Sequence, residues 1–479
     1  MINELSKLGA VQVTELLRKR EVSPTELVNT ATARIAETDP KLNALPTLCI
    51  ERALAHAREI EKQAASELPP HYLYGLPIAV KDNVEVAGVR TMFGSPIYAD
   101  HVPAESDLVV QRLEHNGAIV IGKSNLPEFA AGGNTFNEVF GATRNPWNVR
   151  MSASGSSGGS AAALASGQVW LATGSDFGGS IRTPASFCSV TGLRPSPGVV
   201  AKRRPQPFSP LPVEGPLART VADVALMLDA EAGPHVLDPL SRERHGGSYL
   251  NAAKQPRAPT RVAFSVDLGI APAVDSELRS VCQAAADRIA AAGANVELAH
   301  PDLHDAERIF QVLRGEIYVA RMGALLDKHR DTLKQEIIEN TEYGLRLTIA
   351  ELAAAEIAHG KLLDRMATFF DDYDLLICPA AICPPFDVQT RYVAELGGVK
   401  FATYMGWQIL TTAITVTLCP VLALPCGFTS SGLPIGLQVV GRPHGEHALL
   451  SNGAWLEQVF DVAGRTPIDP VVHSANDRP

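Results

Sequence analysis

The chain has 479 residues, 46% of them hydrophobic and 20% charged. That length exceeds an ordinary single domain yet suits one large α/β domain with a helical insertion, and the composition excludes a disordered or fibrous protein. Lys and Arg total 42 against 52 Asp and Glu, so the net charge of −10 opposes nonspecific binding to nucleic acid or anionic lipid and leaves a small molecule as the simpler partner.

The opening, MINELSKLGAVQVTELLRKRE, carries charges throughout and lacks the apolar core of a signal or transit segment. Ser23-Pro-Thr-Glu26 has the spacing of a capping box with proline at the first helical position, and Leu27 and Ile35 lie on the apolar face of the helix that follows. Near residue 65 the period changes. Leu76 to Val80 is a short apolar run suited to a buried strand that ends at Lys81, Asp107 to Asn116 reads as a helix closed by Gly117, and Ala118 to Ile121 is the next strand. A small-residue loop, a helix from Ser160, a strand from Val169, a second loop from Gly174 and a helix from Ile181 continue the alternation expected of a mixed or parallel sheet.

Past a proline-rich segment from Pro195 to Pro216, helices are predicted from Thr220 and over Asp275 to Ala292, with a strand at Arg261 to Phe264. Residues from about Leu303 to Phe370 are rich in Ala, Leu and Glu and read as long helices covering one side of the sheet. Strands return at Leu375 to Cys378, Val421 to Pro425 and Ile435 to Val440. The most apolar stretch, Leu410 to Cys426, is broken by threonines and by Pro420 and Pro425, so it reads as a buried helix leading into a strand rather than a bilayer span. The seven cysteines form an odd, scattered set without a C-x-x-C pair, which suits reduced thiols in a cytoplasm.

Three places carry chemistry. Lys81 closes an apolar run, where desolvation can leave its amine neutral and basic, while Ser156 with Ser157 and then Ser180 lie in glycine-rich backbone able to expose nucleophilic hydroxyls beside N–H donors. Two motif matches fail on physical grounds. Gly117 to Ser124 fits the phosphate-loop pattern, but its intervening residues are apolar and mostly β-branched, as in a strand. Gly155-Ser-Ser-Gly-Gly159 fits the nucleophile elbow, yet no buried strand leads into it from Met151 to Ser154. The histidines form neither an H-x-x-x-H pair nor a Cys/His cluster, which disfavours zinc. Lys202-Arg203-Arg204 reads as a solvated loop rather than a site.

The run from Asn145 to Ser196, with its segment GSDFGGSIR, closely resembles the glycine/serine-rich signature of the amidase signature family, and GPLARTVAD from Gly215 and GLPIGLQVVGRP from Gly432 resemble its downstream companions. The likeness runs from about Ser23 to Leu450 and is weakest between about Leu240 and Asp372; Ala153, Ser154 and Gly155 stand where the family has a proline and paired glycines before the two serines. It implies a single large α/β domain with a central mixed sheet covered by helices. Within it, an N-terminal helical segment over 1–65 would pack on an amidase domain over 66–479, whose region 240–372 is variable and mostly helical.

By resemblance, Ser180 is the nucleophile, Ser156 the bridging serine of a cis peptide and Lys81 the terminal base, with Ala130, Ala131 and Gly132 at the mouth of the acyl pocket. Backbone N–H groups of Phe177, Gly178, Gly179 and Ser180 would then hold the oxyanion. Asp176 and Arg182 are expected to pair and fix the nucleophile loop, Ser157 to support its own loop, and Cys188 to be packed as a small apolar residue. The implied activity is hydrolysis of an amide to an acid and ammonia or an amine, without cofactor or metal and with a homodimer left open. A rival within the family is the glutaminase component of a glutamyl-tRNA amidotransferase, its A chain, whose nucleophile segment typically continues Arg-Gln-Pro where this chain has Arg182-Thr183-Pro184. A third reading is a noncatalytic binding protein on the same fold.

Overall fold

In the computed structural model, which describes residues 2–63, 68, 71–244 and 246–472, the short apolar runs pair into one sheet of eleven strands. In chain order these are β1 (Thr47–Leu48), β2 (Leu76–Lys81), β3 (Ala118–Ser124), β4 (Leu171–Asp176), β5 (Thr191–Arg194), β6 (Val213–Ala218), β7 (Arg261–Phe264), β8 (Asn295–Leu298), β9 (Leu375–Pro379), β10 (Val421–Phe428) and β11 (Pro434–Val440). Across the sheet they run β1-β3-β2-β4-β6-β5-β10-β11-β9-β7-β8. β2 is parallel to β3 and β4, and β7 is parallel to β8 and β9. The other pairings are antiparallel, so the sheet is mixed, as the alternation of elements implies.

Side chains alternate across a strand, and here both faces are buried. Val262, Phe264, Leu375 and Ile377 point into one core with Val224, Leu449 and Leu456 from the Val221–Glu231 and Glu446–Phe460 helices. Ala263, Leu376 and Cys378 point into the other, with Ile309 and Leu313 of the Ala306–His329 helix and Leu362, Met366 and Phe370 of the Ile349–Asp372 helix. The long helices thus cover one side of the sheet, as their composition predicts. Ser23 caps the Pro24–Leu42 helix, accepting from the Glu26 N–H at 3.1 Å while the Glu26 carboxylate accepts from the Ser23 N–H at 2.8 Å. That helix and those at Ala10–Arg18 and Ile50–Ile60 bury Val13, Leu27, Ile35 and Ala57 in the same core as Ile78 and Val120. The expected boundary at residues 65–66 lies outside the described residues. Among them, no helix is long and apolar enough to cross a membrane.

Some boundaries differ from the predicted ones. The strand expected from Val169 starts at Leu171, and the loop expected from Gly174 is still strand through Asp176, because β6 pairs residue by residue with β4 as far as Asp176. The helix expected from Ser160 starts at Gly158, where Gly159 approaches other backbone: a Cβ there would lie 2.3 Å from the Asn125 nitrogen and 2.6 Å from the Ala44 oxygen. Gly117 to Ser124 is the Gly-capped start and body of buried β3, with the Lys123 amine donating to the Val84 carbonyl at 2.7 Å and to Thr91 at 2.8 Å.

Alanine ordinarily favours a helix over glycine by about 1 kcal/mol, but the backbone contacts at Gly159 outweigh this. Gly159→Ala is expected to destabilise the protein by about 2 kcal/mol, read as a lower urea midpoint; a raised midpoint would show that the close approach is not a constraint.

Candidate active site

Lys81 is the last residue of β2, the strand flanked by β3 and β4, and its side chain is fully buried. Its backbone N–H donates to Thr173 at 3.0 Å, which ties it to β4. The amine lies 2.7 Å from the Ser156 hydroxyl, 2.9 Å from that of Ser157 and 2.9 Å from that of Ser175. Burial drives the lysine from its ordinary 10.5 down to about 7, against the raising influence of Glu214 and Asp176; the charge of Lys202 adds to the lowering. A neutral amine has one lone pair and two donors, which matches three hydroxyl neighbours: it can accept from one and donate to two.

The glycine-serine run is no flexible linker. Asn148–Ser152 forms a hairpin with Arg144–Asn145 outside the main sheet, and Ser152, Ser154, Ser156 and Ser157 are all buried. Ser152 donates to Asn134 at 2.6 Å, Ser154 to the Gly133 carbonyl at 3.1 Å, and the Gly155–Ser156 peptide is cis. The two serine loops join where the Ser157 N–H donates to the Ser180 carbonyl at 3.0 Å. Ser156 and Ser180 line one cavity, although their hydroxyls are not within hydrogen-bond distance of each other among the described contacts.

Asp176 organises the loop from Phe177 to Ile181. Its carboxylate accepts from Arg182 at 2.8 and 3.0 Å, from the Gly179 N–H at 3.1 Å, from the Ile181 N–H at 3.1 Å and from Arg194 at 3.3 Å. Burial alone would raise this carboxyl, but Arg182 and then Arg194 outweigh it and hold Asp176 well below the usual carboxylate range. The five guanidinium N–H groups of Arg182 are shared between Asp176, the Thr411 carbonyl, Gln438 and Thr415. Gly179 adopts φ +117°, and a Cβ there would strike Thr411 at 2.5 Å. The Gly179 N–H is therefore already engaged by Asp176, which corrects the expectation that it is a free oxyanion donor; those of Phe177, Gly178 and Ser180 meet no acceptor among the described residues.

The cavity, of about 310 Å³, is lined by Ser156, Ser175 and Ser180 together with the aromatic rings of Phe93, Tyr98, Phe129 and Tyr318. Ala130 lines it. Ala131 does not: it is buried beside Tyr318, Leu326 and Ile337, because Phe129 and Ala130 turn the chain through positive φ values of 49° and 60°. Cys188 is buried among apolar residues, and burial pushes its thiol up. Among the described residues, no group of three or more His, Cys, Asp and Glu side chains could hold a metal ion.

Several lining residues escape sequence reasoning. Ser175 had a signal, since it shares a strand face with Thr173, two residues earlier, and both bond Lys81. Met322 and Leu325 had only helical spacing from Tyr318. The basic cluster is not the solvated loop that its composition suggests. Lys202 donates to Glu214 at 2.6 Å, Arg204 to Asp238 at 2.9 Å, both arginine and lysine stems are largely buried, and Lys202 lines the cavity. These partners are 12 and 34 residues away in sequence.

The chain is similar to several known proteins. The family model described as Amidase matches residues 26–450. The chain is 34% identical to an acylamidase of Rhodococcus erythropolis over 477 residues, covering 97% of this chain and 98% of that one. It is also 34% identical to the A chain of the glutamyl-tRNA(Gln) amidotransferase of Thermosynechococcus vestitus over 454 residues, covering 89% of this chain and 92% of that one. Its fold matches the crystal structure of a bacterial aryl acylamidase of the amidase signature family with a TM-score of 0.87 at 26% identity, covering 96% of this chain and 99% of that one.

Removing the Asp176 charge leaves two buried arginines without their anion, so Asp176→Asn is expected to cost about 3 kcal/mol or more. Urea unfolding measures it; a loss below about 1 kcal/mol would show that Asp176 does not hold the loop.

Proposed function

The chain belongs to the amidase family, as an amide hydrolase of the amidase signature group, and we propose that it cleaves its amide through a Ser180 acyl-enzyme with Ser156 and Lys81 as the proton relay. The observation that carries this reading is the 2.7 Å contact between Ser156 and a fully buried Lys81 whose amine titrates at about 7. Neutral Lys81 accepts the Ser156 proton, Ser156 accepts that of Ser180, and the Ser180 oxygen adds to the amide carbonyl.

The developing oxyanion is held by the open N–H groups of Phe177, Gly178 and Ser180, with Gly179 shaping the turn that aims them. Collapse of the tetrahedral species breaks the carbon–nitrogen bond as the proton returns through Ser156 to the leaving nitrogen. Water then enters by the same relay, adds to the ester carbonyl and releases the acid with Ser180 restored. Ser157 and Ser175 keep the lysine lone pair directed at Ser156 by accepting its two N–H groups. The apolar, aromatic walls suit an acyl or aryl amide.

A glutaminase role as the A chain of an amidotransferase is the second reading, favoured by the 34% identity to that protein. Turnover by the isolated chain of amides that lack the α-amino group of glutamine, at least as fast as glutamine itself, separates the two.

Fluorophosphonates are expected to label Ser180, and Ser180→Ala to remove both labelling and turnover; mass mapping of label to Ser156 or Ser157 instead would overturn the assignment.

The pH profile tests Lys81. Activity is expected to rise with pH on an acid limb near 7, where the amine loses its proton. Between about 7 and 10.5 the unfolded chain binds more protons at this site than the folded one, so the buried lysine costs stability fully below pH 7 and the cost fades as pH rises toward 10.5. Lys81→Met should lose most activity and unfold no more easily than wild type at neutral pH; a mutant active with an unchanged acid limb would remove Lys81 as the base.

A further inference from the structure

A second cavity, of about 250 Å³, adjoins the first, and Asn83, Phe93, Lys202, Pro205 and Arg321 line both. Their shared wall is cationic. Lys202 is held against Glu214, which sits opposite Ser175 in the β4–β6 pairing and so fixes how far this wall lies from the serines. An ammonium has three donors, and Glu214 takes one. Arg321, on the Ala306–His329 helix, is exposed to solvent and makes no ion pair or hydrogen bond among the described residues, so its permanent charge is free to meet a ligand.

Three acids also line the second cavity, each with a partner: Glu85 lies 2.7 Å from His101, Asp107 accepts the Glu85 N–H at 2.8 Å, and Glu214 holds Lys202; none of them lies on the wall shared with the first cavity. Arg203 lies 3.8 Å from exposed Glu105. Lys202 is lowered by burial and, after the opposing effect of Glu214, by the like charge of Arg321, a repulsion that an anion seated between them would relieve.

Resting on the amidase reading above, we propose that the substrate is an amide bearing a carboxylate remote from the scissile bond, with Arg321 and Lys202 receiving the carboxylate while the aromatic walls hold the carbon chain between. Two substrate classes share this chemistry: monoamides of dicarboxylic acids, with the charge on the acyl side, and N-acyl amino acids, with the charge on the amine side.

Both series are assayed on the full chain, each compound against its analogue with a methyl group in place of the carboxylate. In at least one series the wild-type kcat/KM is expected to favour the acid about tenfold or more, as a charge-assisted contact would give, and in Arg321→Gln that ratio is expected to fall toward one. A wild-type ratio of one or less in both series, a ratio unmoved by Arg321→Gln, or preference for an ammonium-tailed amide overturns the proposal. Hydrolysis of the methyl analogue that depends on Ser180 but shows no acid preference overturns this inference alone. Turnover of none of these amides counts against the amidase reading as well.

Discussion

Everything at the catalytic end of this molecule depends on taking one lysine amine out of water. Lys81 can be buried without a carboxylate in contact because three hydroxyls replace its hydration, and they reach it only because β2, β4 and the turn before the Gly158–Ala165 helix converge on the same point. A bare ammonium there would be costly; a neutral amine with satisfied hydrogen bonds is not. The burial that stabilises the core therefore also lowers the pKa of the Lys81 amine.

A second buried charge solves a different problem. The loop from Phe177 to Ile181 keeps several backbone N–H groups open, yet unpaired backbone is normally mobile or costly to bury. Asp176 resolves this by holding the loop through Gly179 and Ile181 while leaving their neighbours open, and Arg182 and Arg194 keep that carboxylate charged. Thr411 closes the other side by donating to the Gly178 carbonyl at 2.7 Å. Rigidity and open donors are reconciled within a few residues.

The substrate chamber is built from more distant parts of the chain. Phe93, Tyr98 and Phe129 come from loops near β2 and β3, whereas Tyr318, Arg321 and Leu325 come from a helix that packs on the other core. Lys81 and Ser175 thus lie at strand ends, while part of the cavity wall comes from the Ala306–His329 helix, far away in sequence.

How much of this was legible depended on range. The Lys81-bearing strand, the capping box at Ser23, the strand at Arg261–Phe264 and the helix capped by Asp275 are local patterns, and they appear where their residues predict. Lys81, Ser156 and Ser180 stand out by residue type and backbone setting because desolvation and small residues are local requirements, and the fold brings the Lys81 amine to Ser156 and puts Ser156 and Ser180 on one cavity. The end of β4, the burial of Lys202 and Arg204, the turning away of Ala131 and the loss of the Gly179 N–H to Asp176 were not visible. The end of β4 depends on β6, and the burial of Lys202 and Arg204 on Glu214 and Asp238, partners that only folding brings near; Ala131 turns away through the positive φ values of its two predecessors, and the Gly179 N–H is taken by a carboxylate three residues earlier whose own geometry is fixed by Arg182 and Arg194. The sequence by itself determined which side chains could do the chemistry and which segments could be strand or helix, since these follow from nearest neighbours. Only the tertiary structure decided which charges are buried and which donors stay free, because burial and pairing are properties of the assembled surfaces and not of the chain.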